Sequence, residues 1–188
     1  MPNSHFPSAG LVTERLLLRP PGQGDAYALL AYYTNNREHL RPWEPERKDD
    51  FYTHASIAAR LEQMALQMSQ GQALNLVLVR RDIGVLIGNC NLSNIVRGVL
   101  QACHLGFGID QHHEGQGLMR EALEATIEYA FKTMGLHRIM ANHLPENQRS
   151  GQLLTRMGFQ REGLARSYLH INGAWRDHVL TALINEAA

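Results

Sequence analysis

The chain has only two cysteines in 188 residues, Cys90 and Cys103, and they form no spaced metal-binding pattern. Adjacent His112 and His113 do not supply one, because neighbouring residues seldom share one ligand geometry and no His-x-x-x-His partner exists. No metal is expected. Net charge is also missing: 18 Lys and Arg stand against 18 Asp and Glu. That excludes an overall basic field of the kind non-specific nucleic-acid binding needs, although a local patch stays open. No direct sequence-specific binding of nucleic acid is expected. No apolar run approaches membrane-spanning length, so no membrane partner is expected either. The first ten residues have neither the charged stretch nor the apolar core of an export signal. A cytoplasmic chain with reduced thiols is the expectation. Two familiar phosphate patterns are absent as well, the Gly-x-x-x-x-Gly-Lys-[Ser/Thr] loop and the dinucleotide fingerprint.

What the chain does have is a strand-like run, a polar turn and an amphipathic helix in succession over residues 104–136. The turn holds Gly115 and Gly117, and behind it Leu118, Ala122, Leu123, Ile127, Ala130, Phe131 and Met134 recur on one helical face. A strand that breaks through such a turn into a helix leaves the first helical N–H groups without intrahelical partners. With the positive end of the helix dipole behind them, those donors suit a phosphate. The stretch predicts a ligand that carries a pyrophosphate.

The remaining pattern is that of one domain, long enough to bury roughly 70% of its unfolded surface. Residues 1–9 read as a loose tail and 11–19 as a first strand, stopped by Pro20 and Pro21. Asp25 caps or opens a helix through Leu29, Leu30 and Tyr33; residues 35–48 read as irregular. Ile57, Leu61, Met64, Ala65 and Met68 mark a second helix, ended by Gly71. Three strands follow over 73–80, 84–94 and 101–109, and a hairpin turn at Arg97 would set Cys90 nearly opposite Cys103 as two small core thiols. After the helix behind the glycine turn come a strand over 137–144, a helix capped by Asn147, and two strands around the hairpin signal Asn172-Gly173. The class is α/β (α+β), with a mixed central sheet of about seven strands and helices on both faces.

This order is that of the GNAT N-acetyltransferases, and the resemblance covers nearly the whole chain. The glycine turn resembles their acetyl-coenzyme A loop, [Gln/Arg]-x-x-Gly-x-[Gly/Ala], with Gly117 as the central glycine, but Glu114 and Met119 depart from the pattern. Other stretches are more specific. Residues 13–20, with Thr13, Glu14 and Arg15 ahead of three leucines, resemble the opening strand of the RimJ/RimL branch. Arg41-Pro42-Trp43-Glu44-Pro45, residues 91–98, Ala141-Asn142-His143, Asn147-x-Arg149-Ser150-Gly151 and residues 173–180 are similar to its RimJ side. The resemblance implies a mixed, mostly antiparallel GNAT sheet. It also implies an enzyme that uses acetyl-CoA to acetylate the N-terminal alanine of a small-subunit ribosomal protein. The partner so implied is the N-terminus of that protein, including within an assembling small subunit.

Acetyl transfer needs a held thioester, a neutral amine, stabilisation of the oxyanion and a proton for the leaving thiolate. By resemblance, Phe107, Gly108 and Ile109 pair with the pantetheine arm as an added strand. The pyrophosphate meets the N–H groups of Gly115, Gln116, Gly117, Leu118, Met119 and Arg120, and Asn147 bonds the pantetheine side while also able to cap its helix. A free α-amine titrates near 7.7–8.0, so roughly a tenth or more is already neutral and a base has a modest task. The acid and base of simpler relatives do not carry over: their Glu is Asn142 here and their Tyr is Leu154. His104, where RimL-like enzymes carry a strand Glu, is a candidate base, or else a structural strand histidine. Ser150 is a candidate donor to the thiolate, or a first-turn Ser bonded to backbone. Tyr168 is a third option. Trp43 and Glu44 suit the acceptor side, as a wall and a carboxylate for the ammonium, or as plain packing and surface residues. Two other readings compete: the same catalyst with a small-molecule amine as acceptor, and an acyl-CoA-binding, ribosome-associated module with little catalysis.

Overall fold

The chain opens as a short hairpin, β1 (Leu11–Val12) and β2 (Leu16–Arg19). The sequence reads this segment as one strand, because leucines continue through it. Thr13 divides it. Its N–H donates to the Leu16 carbonyl at 2.9 Å and its hydroxyl oxygen accepts from the Leu16 N–H at 3.0 Å, a local bonding pattern that replaces the ladder. Helices α1 (Ala26–Asn35), α2 (Arg37–Leu40) and α3 (His54–Ser69) follow. Asp25 precedes α1 without a side-chain cap; its carboxylate instead grips the Arg19 guanidinium at 2.6 and 2.7 Å. Residues 35–48, expected to be irregular, contain α2. Thr53 caps α3 by accepting the Ser56 N–H at 3.2 Å.

Strands β3 (Leu74–Arg80), β4 (Leu86–Val96) and β5 (Ala102–Ile109) form an antiparallel meander. Helix α4 (Leu118–Lys132), strand β6 (Arg138–Met140), helix α5 (Gln148–Arg156) and the long hairpin β7 (Gln160–Ile171) and β8 (Ala174–Ile184) complete the chain. In this computed structural model, which describes residues 6, 7 and 9–187, the strands make one sheet in the order β1-β2-β3-β4-β5-β6-β8-β7. The eighth strand comes from the division at Thr13. The strand expected over 137–144 is regular only to Met140, and His143 bridges Val179 beyond it. The expected tail falls partly outside the described residues; Phe6, within them, packs edge-on against Tyr129 at 5.2 Å.

Alternation along the strands sorts their side chains between two cores. On one face Leu16, Leu18, Leu76, Leu78, Cys90, Leu92, Cys103 and Leu105 pack with Leu118, Ala122 and Leu123 of α4 and Leu154 of α5. On the other, Val77 packs with Leu29, Tyr32 and Tyr33 of α1, Leu40 of α2, and Ile57 and Leu61 of α3. The helices therefore lie on both faces.

One register differs from the sequence expectation. Cys90 pairs with Phe107, not Cys103, because the β4–β5 turn is centred near Val99 and not at Arg97. Both thiols are buried in the larger core, and burial pushes each up to about 12. Core thiols they are, but not neighbours across a rung.

Gly88 fixes how closely β4 and β5 approach. A Cβ at this position would clash with the Gly108 carbonyl oxygen and stand 3.1 Å from the Ile109 Cα. Both are backbone atoms that only a strand displacement could relieve. Gly88→Ala is expected to destabilise the fold by about 3 kcal/mol. That lowers the melting temperature by about 6–12 °C in a domain of this size. An unshifted thermal transition would show that the strands part freely here.

Candidate functional site

The site begins where β5 loses a neighbour. Ala102, Cys103 and His104 pair in parallel with Arg138, Ile139 and Met140 of β6, and there the ladder ends. Beyond His104 the edge of β5 that faces away from β4 has no strand beside it among the described residues, and Gly106 is exposed. Phe107, Gly108 and Ile109 lie on that open edge, half-buried. An extended chain of hydrogen-bonding groups could complete it as an added strand.

Beyond the edge the chain turns through residues 110–117 into α4. Gly115 and Gly117 adopt φ values of +72° and +77°, which L side chains rarely take, so both glycines are required by the turn. The backbone N–H groups of Gly115, Gln116, Gly117, Leu118, Met119 and Arg120 find no acceptor among the described residues. Six consecutive free donors at the N-terminus of a fifteen-residue helix form an anion cradle. The Arg120 side chain is turned along the helix to Glu124 at 2.8 Å, so this residue offers its N–H and not its charge.

Three supports hold the cradle, and none was visible from the sequence. Arg15 donates to the Gln116 carbonyl at 2.9 Å, while Glu121 binds the Arg15 Nε at 2.7 Å, its N–H at 2.7 Å and the Thr13 hydroxyl at 2.5 Å. Asn36, fully buried at the end of α1, donates to Asp110 at 2.7 Å and accepts the Gln111 N–H at 2.9 Å. Burial alone would raise the Asp110 carboxyl. The hydrogen bonds from Asn36, the His112 N–H and His113 outweigh it and hold the group below its ordinary value. Glu114 binds Arg149 of α5 and stands 3.2 Å from the His39 Nε2 of α2. The departure at Glu114 from the loop pattern is thus occupied by an ion pair that ties the loop to α5. His112 and His113 belong to this loop, and the described residues contain no group of three or more potential metal ligands.

Two candidate chemical groups open α5, and one is on the strand that carries the open edge. His104 stands at its start, opposite Ser93 of β4 and Met140 of β6. Among the described residues its buried Nδ1 has no hydrogen-bond partner, and burial pushes the imidazole below its ordinary value. At neutral pH it is therefore an uncharged ring able to accept a proton. Asn147 caps α5 through its Oδ1, which accepts the Ser150 N–H at 3.1 Å, and its Nδ2 is left over. The Ser150 hydroxyl has no partner among the described residues, so it does not make the backbone bond open to a first-turn Ser. Beside it, Gly151 lets α5 close on His143: a Cβ there would stand 2.8 Å from the ring. The Asn142 Oδ1 accepts the Thr181 N–H at 3.3 Å and Leu154 is buried, so neither moves a proton.

The other candidates lie further out. Tyr168 is on the outermost strand β7, with its ring packed near that of buried His178 at 5.7 Å. Trp43 is part-exposed, in the turn after α2. Glu44 is not a free carboxylate, since Arg47 holds it at 2.6 Å while stacking over Phe51 at 4.1 Å. Its carbonyl accepts the Asn172 N–H at 3.0 Å, which docks the β7–β8 hairpin tip onto this loop. A cavity of about 240 Å³ lies between them, lined by Tyr33, Arg37, Leu40, Glu44, Arg47 and Asn172 among others.

The splayed strand, glycine turn and helix N-terminus are matched at the level of family. Residues 15–160 fit the model of the acetyltransferase (GNAT) domain. The chain belongs to the GNAT acetyltransferases. This GNAT chain is 47% identical to the [ribosomal protein uS5]-alanine N-acetyltransferase of Escherichia coli (strain K12), over 96% of this chain and 93% of that one. Among solved structures, the ribosomal-protein-S5-alanine acetyltransferase of Vibrio fischeri superposes with a TM-score of 0.88 at 39% identity, covering 93% and 96% of the two chains. Mycobacterium smegmatis RimJ, solved in complex with CoA-disulfide, gives 0.87 at 30% identity over 92% and 83%. The GNAT sheet expected from the sequence is therefore the observed one.

Proposed function

We propose that this GNAT enzyme transfers the acetyl group of acetyl-CoA to the α-amine of an N-terminal alanine on a small-subunit ribosomal protein corresponding to uS5. The observation that carries the reading is the 47% identity to the uS5-alanine enzyme across 96% of the chain. The site fits the co-substrate on its own terms. The six free N–H groups over residues 115–120 suit a pyrophosphate, and the open β5 edge at Phe107, Gly108 and Ile109 suits the amide groups of a pantetheine arm. The Asn147 Nδ2, uncommitted at the start of α5, would supply a further donor.

The chain's own residues would then divide the work. His104, neutral at working pH, takes the proton that the α-amine loses as it attacks. Ser150 offers its uncommitted hydroxyl to the departing sulfur, and Tyr168 is the reserve for either task. Trp43 and the cavity beside Glu44 lie toward the acceptor, with the Glu44–Arg47 pair presenting a neutralised wall in place of a lone anion. One continuous sheet from Leu11 to Ile184 supports reading the chain as one catalytic unit. Among the described residues no helix is long and apolar enough to cross a membrane. Action on a ribosomal protein would place the enzyme in the cytoplasm.

The test is thiol release from acetyl-CoA in the presence of a short peptide that begins with alanine, set against the same peptide with a blocked α-amine. Turnover on the free amine alone is expected. Equal release with both peptides, or turnover only with small amines, would refute the reading.

A further inference from the structure

The glycine turn brings no free positive charge to its own cradle. Arg120 is turned along α4 to Glu124, and the Gln116 side chain donates back to the His112 carbonyl at 3.0 Å. At position 114 stands a carboxylate, which Arg149 of α5 neutralises. A helix end supplies about half a unit charge, less than a pyrophosphate carries. The backbone donors over residues 115–120 would therefore leave much of that charge unbalanced.

A cation does reach the cradle, from the far end of the chain. The division at Thr13 places Arg15 at the corner between β1 and β2. Arg81 fixes that corner: its Nη1 donates to the Thr13 and Glu14 carbonyls at 2.7 and 2.8 Å, and its N–H to the Arg15 carbonyl at 3.0 Å. The guanidinium is then held at two of its nitrogens, Nε by Glu121 at 2.7 Å and Nη1 by the Gln116 carbonyl at 2.9 Å. Burial would raise the Glu121 carboxyl, but the bonds from Thr13 and Arg15 hold it below its ordinary value, so this grip persists at neutral pH. The third nitrogen, Nη2, makes no hydrogen bond among the described residues, and the side chain is part-exposed. Nη2 stands 3.5 Å from where a Gly117 Cβ would be, and Gly117 is the N-cap of α4. The unbonded edge of the guanidinium thus borders the free N–H groups of Gly117 and Leu118.

We propose that Arg15 is the cationic ligand of the acetyl-CoA pyrophosphate: its Nη2 donates to a phosphate oxygen that the backbone N–H groups at Gly117 and Leu118 also hold. A guanidinium pinned at two nitrogens is a prepared donor, since little freedom is lost when the third is used. The opening hairpin supplies the charge that the glycine turn, with Glu114, does not. Arg15 is then a ligand as well as a prop for Gln116. The inference concerns acetyl-CoA alone and stands whichever amine is the acceptor.

Calorimetric titration with acetyl-CoA, in the absence of any acceptor, separates ligand from prop. Arg15→Gln should weaken binding about tenfold or more, the loss of one charge-assisted bond. Arg15→Lys keeps a cation without the fork and should fall between the two. Glu121→Gln carries the opposite sign. It keeps an acceptor for Thr13 and the Arg15 N–H but removes a negative charge beside Arg15, so acetyl-CoA should bind about two- to threefold more tightly. Salt gives a second readout. Raising it from about 0.05 to 0.5 M should weaken binding to the wild type more than to Arg15→Gln, which has one fewer charge to screen. Inorganic pyrophosphate should displace acetyl-CoA from the wild type and do so about tenfold less well from Arg15→Gln. Equal losses in Arg15→Gln and Glu121→Gln would make Arg15 a prop only and overturn the proposal. Parallel salt dependence of wild type and Arg15→Gln would do the same. Where Arg15→Gln does not fold, Arg15→Lys set against Glu121→Gln decides by the same signs. Failure of the alanine peptide to turn over would sink the acceptor reading and leave these titrations as they are.

Discussion

Replacing His104 by alanine is expected to lower kcat/KM for the acceptor peptide about a hundredfold, the usual contribution of a positioned base. The affinity for acetyl-CoA should stay within about twofold, since His104 precedes the open edge. The pH profile carries the sharper sign. The buried imidazole is depressed below its ordinary value, so the limb it imposes lies below about pH 6.5. Above that pH the rate continues to climb as the α-amine loses its proton, near 7.7–8.0. The variant should lose the lower limb and keep the upper one. A profile of unchanged shape with a small drop in rate would return the base role to Tyr168. Ser150→Ala gives the control: with a role only on the leaving sulfur, it should lower the rate and leave both limbs in place.

Asn36→Leu is expected to be the most damaging substitution at the phosphate end. Asn36 is fully buried and holds the Tyr32 carbonyl, the Asp110 carboxylate and the Gln111 N–H together. A leucine of similar shape removes all three bonds and leaves the part-buried Asp110 Oδ2 and the Gln111 N–H without their partner. The cost is about 3 kcal/mol, or about 6–12 °C in melting temperature. Loosening the start of the loop should also weaken acetyl-CoA binding about tenfold, which calorimetry would register. The pH dependence follows from the depressed Asp110 carboxyl. Such a group contributes stability above its unfolded value and loses it as pH falls through its folded one. The gap between wild type and variant should therefore narrow below about pH 4. Equal melting curves at neutral pH would mean that the loop stands without Asn36.

These two residues also mark how far the amino-acid sequence reaches. His104 could be named as a candidate because its chemistry is local to one strand and one family position. Asn36 could not, because its importance comes from burial beside Asp110, seventy-four positions away, and nothing in the neighbourhood of Asn36 announces that contact. The same holds for Glu121, which looks like one more surface carboxylate on α4 until Thr13 and Arg15 are folded against it. The two cysteines show a related limit. Their burial was legible from side-chain type, but their register depended on where the β4–β5 turn is centred, near Val99, which the Arg97-Gly98 signal alone does not fix.

By itself the sequence determined most of the order of elements, the glycine turn ahead of α4, the cap at Asn147, and the membership in a family of acetyltransferases. Each of these follows from local rules: apolar period, backbone freedom at glycine, and short-range hydrogen bonds. Only the tertiary structure decided where β5 parts from β6 and which polar atoms are left without partners. Those features depend on contacts between segments far apart in the chain. They are set by packing and by the completeness of hydrogen bonding in the folded molecule, which no window of the sequence contains.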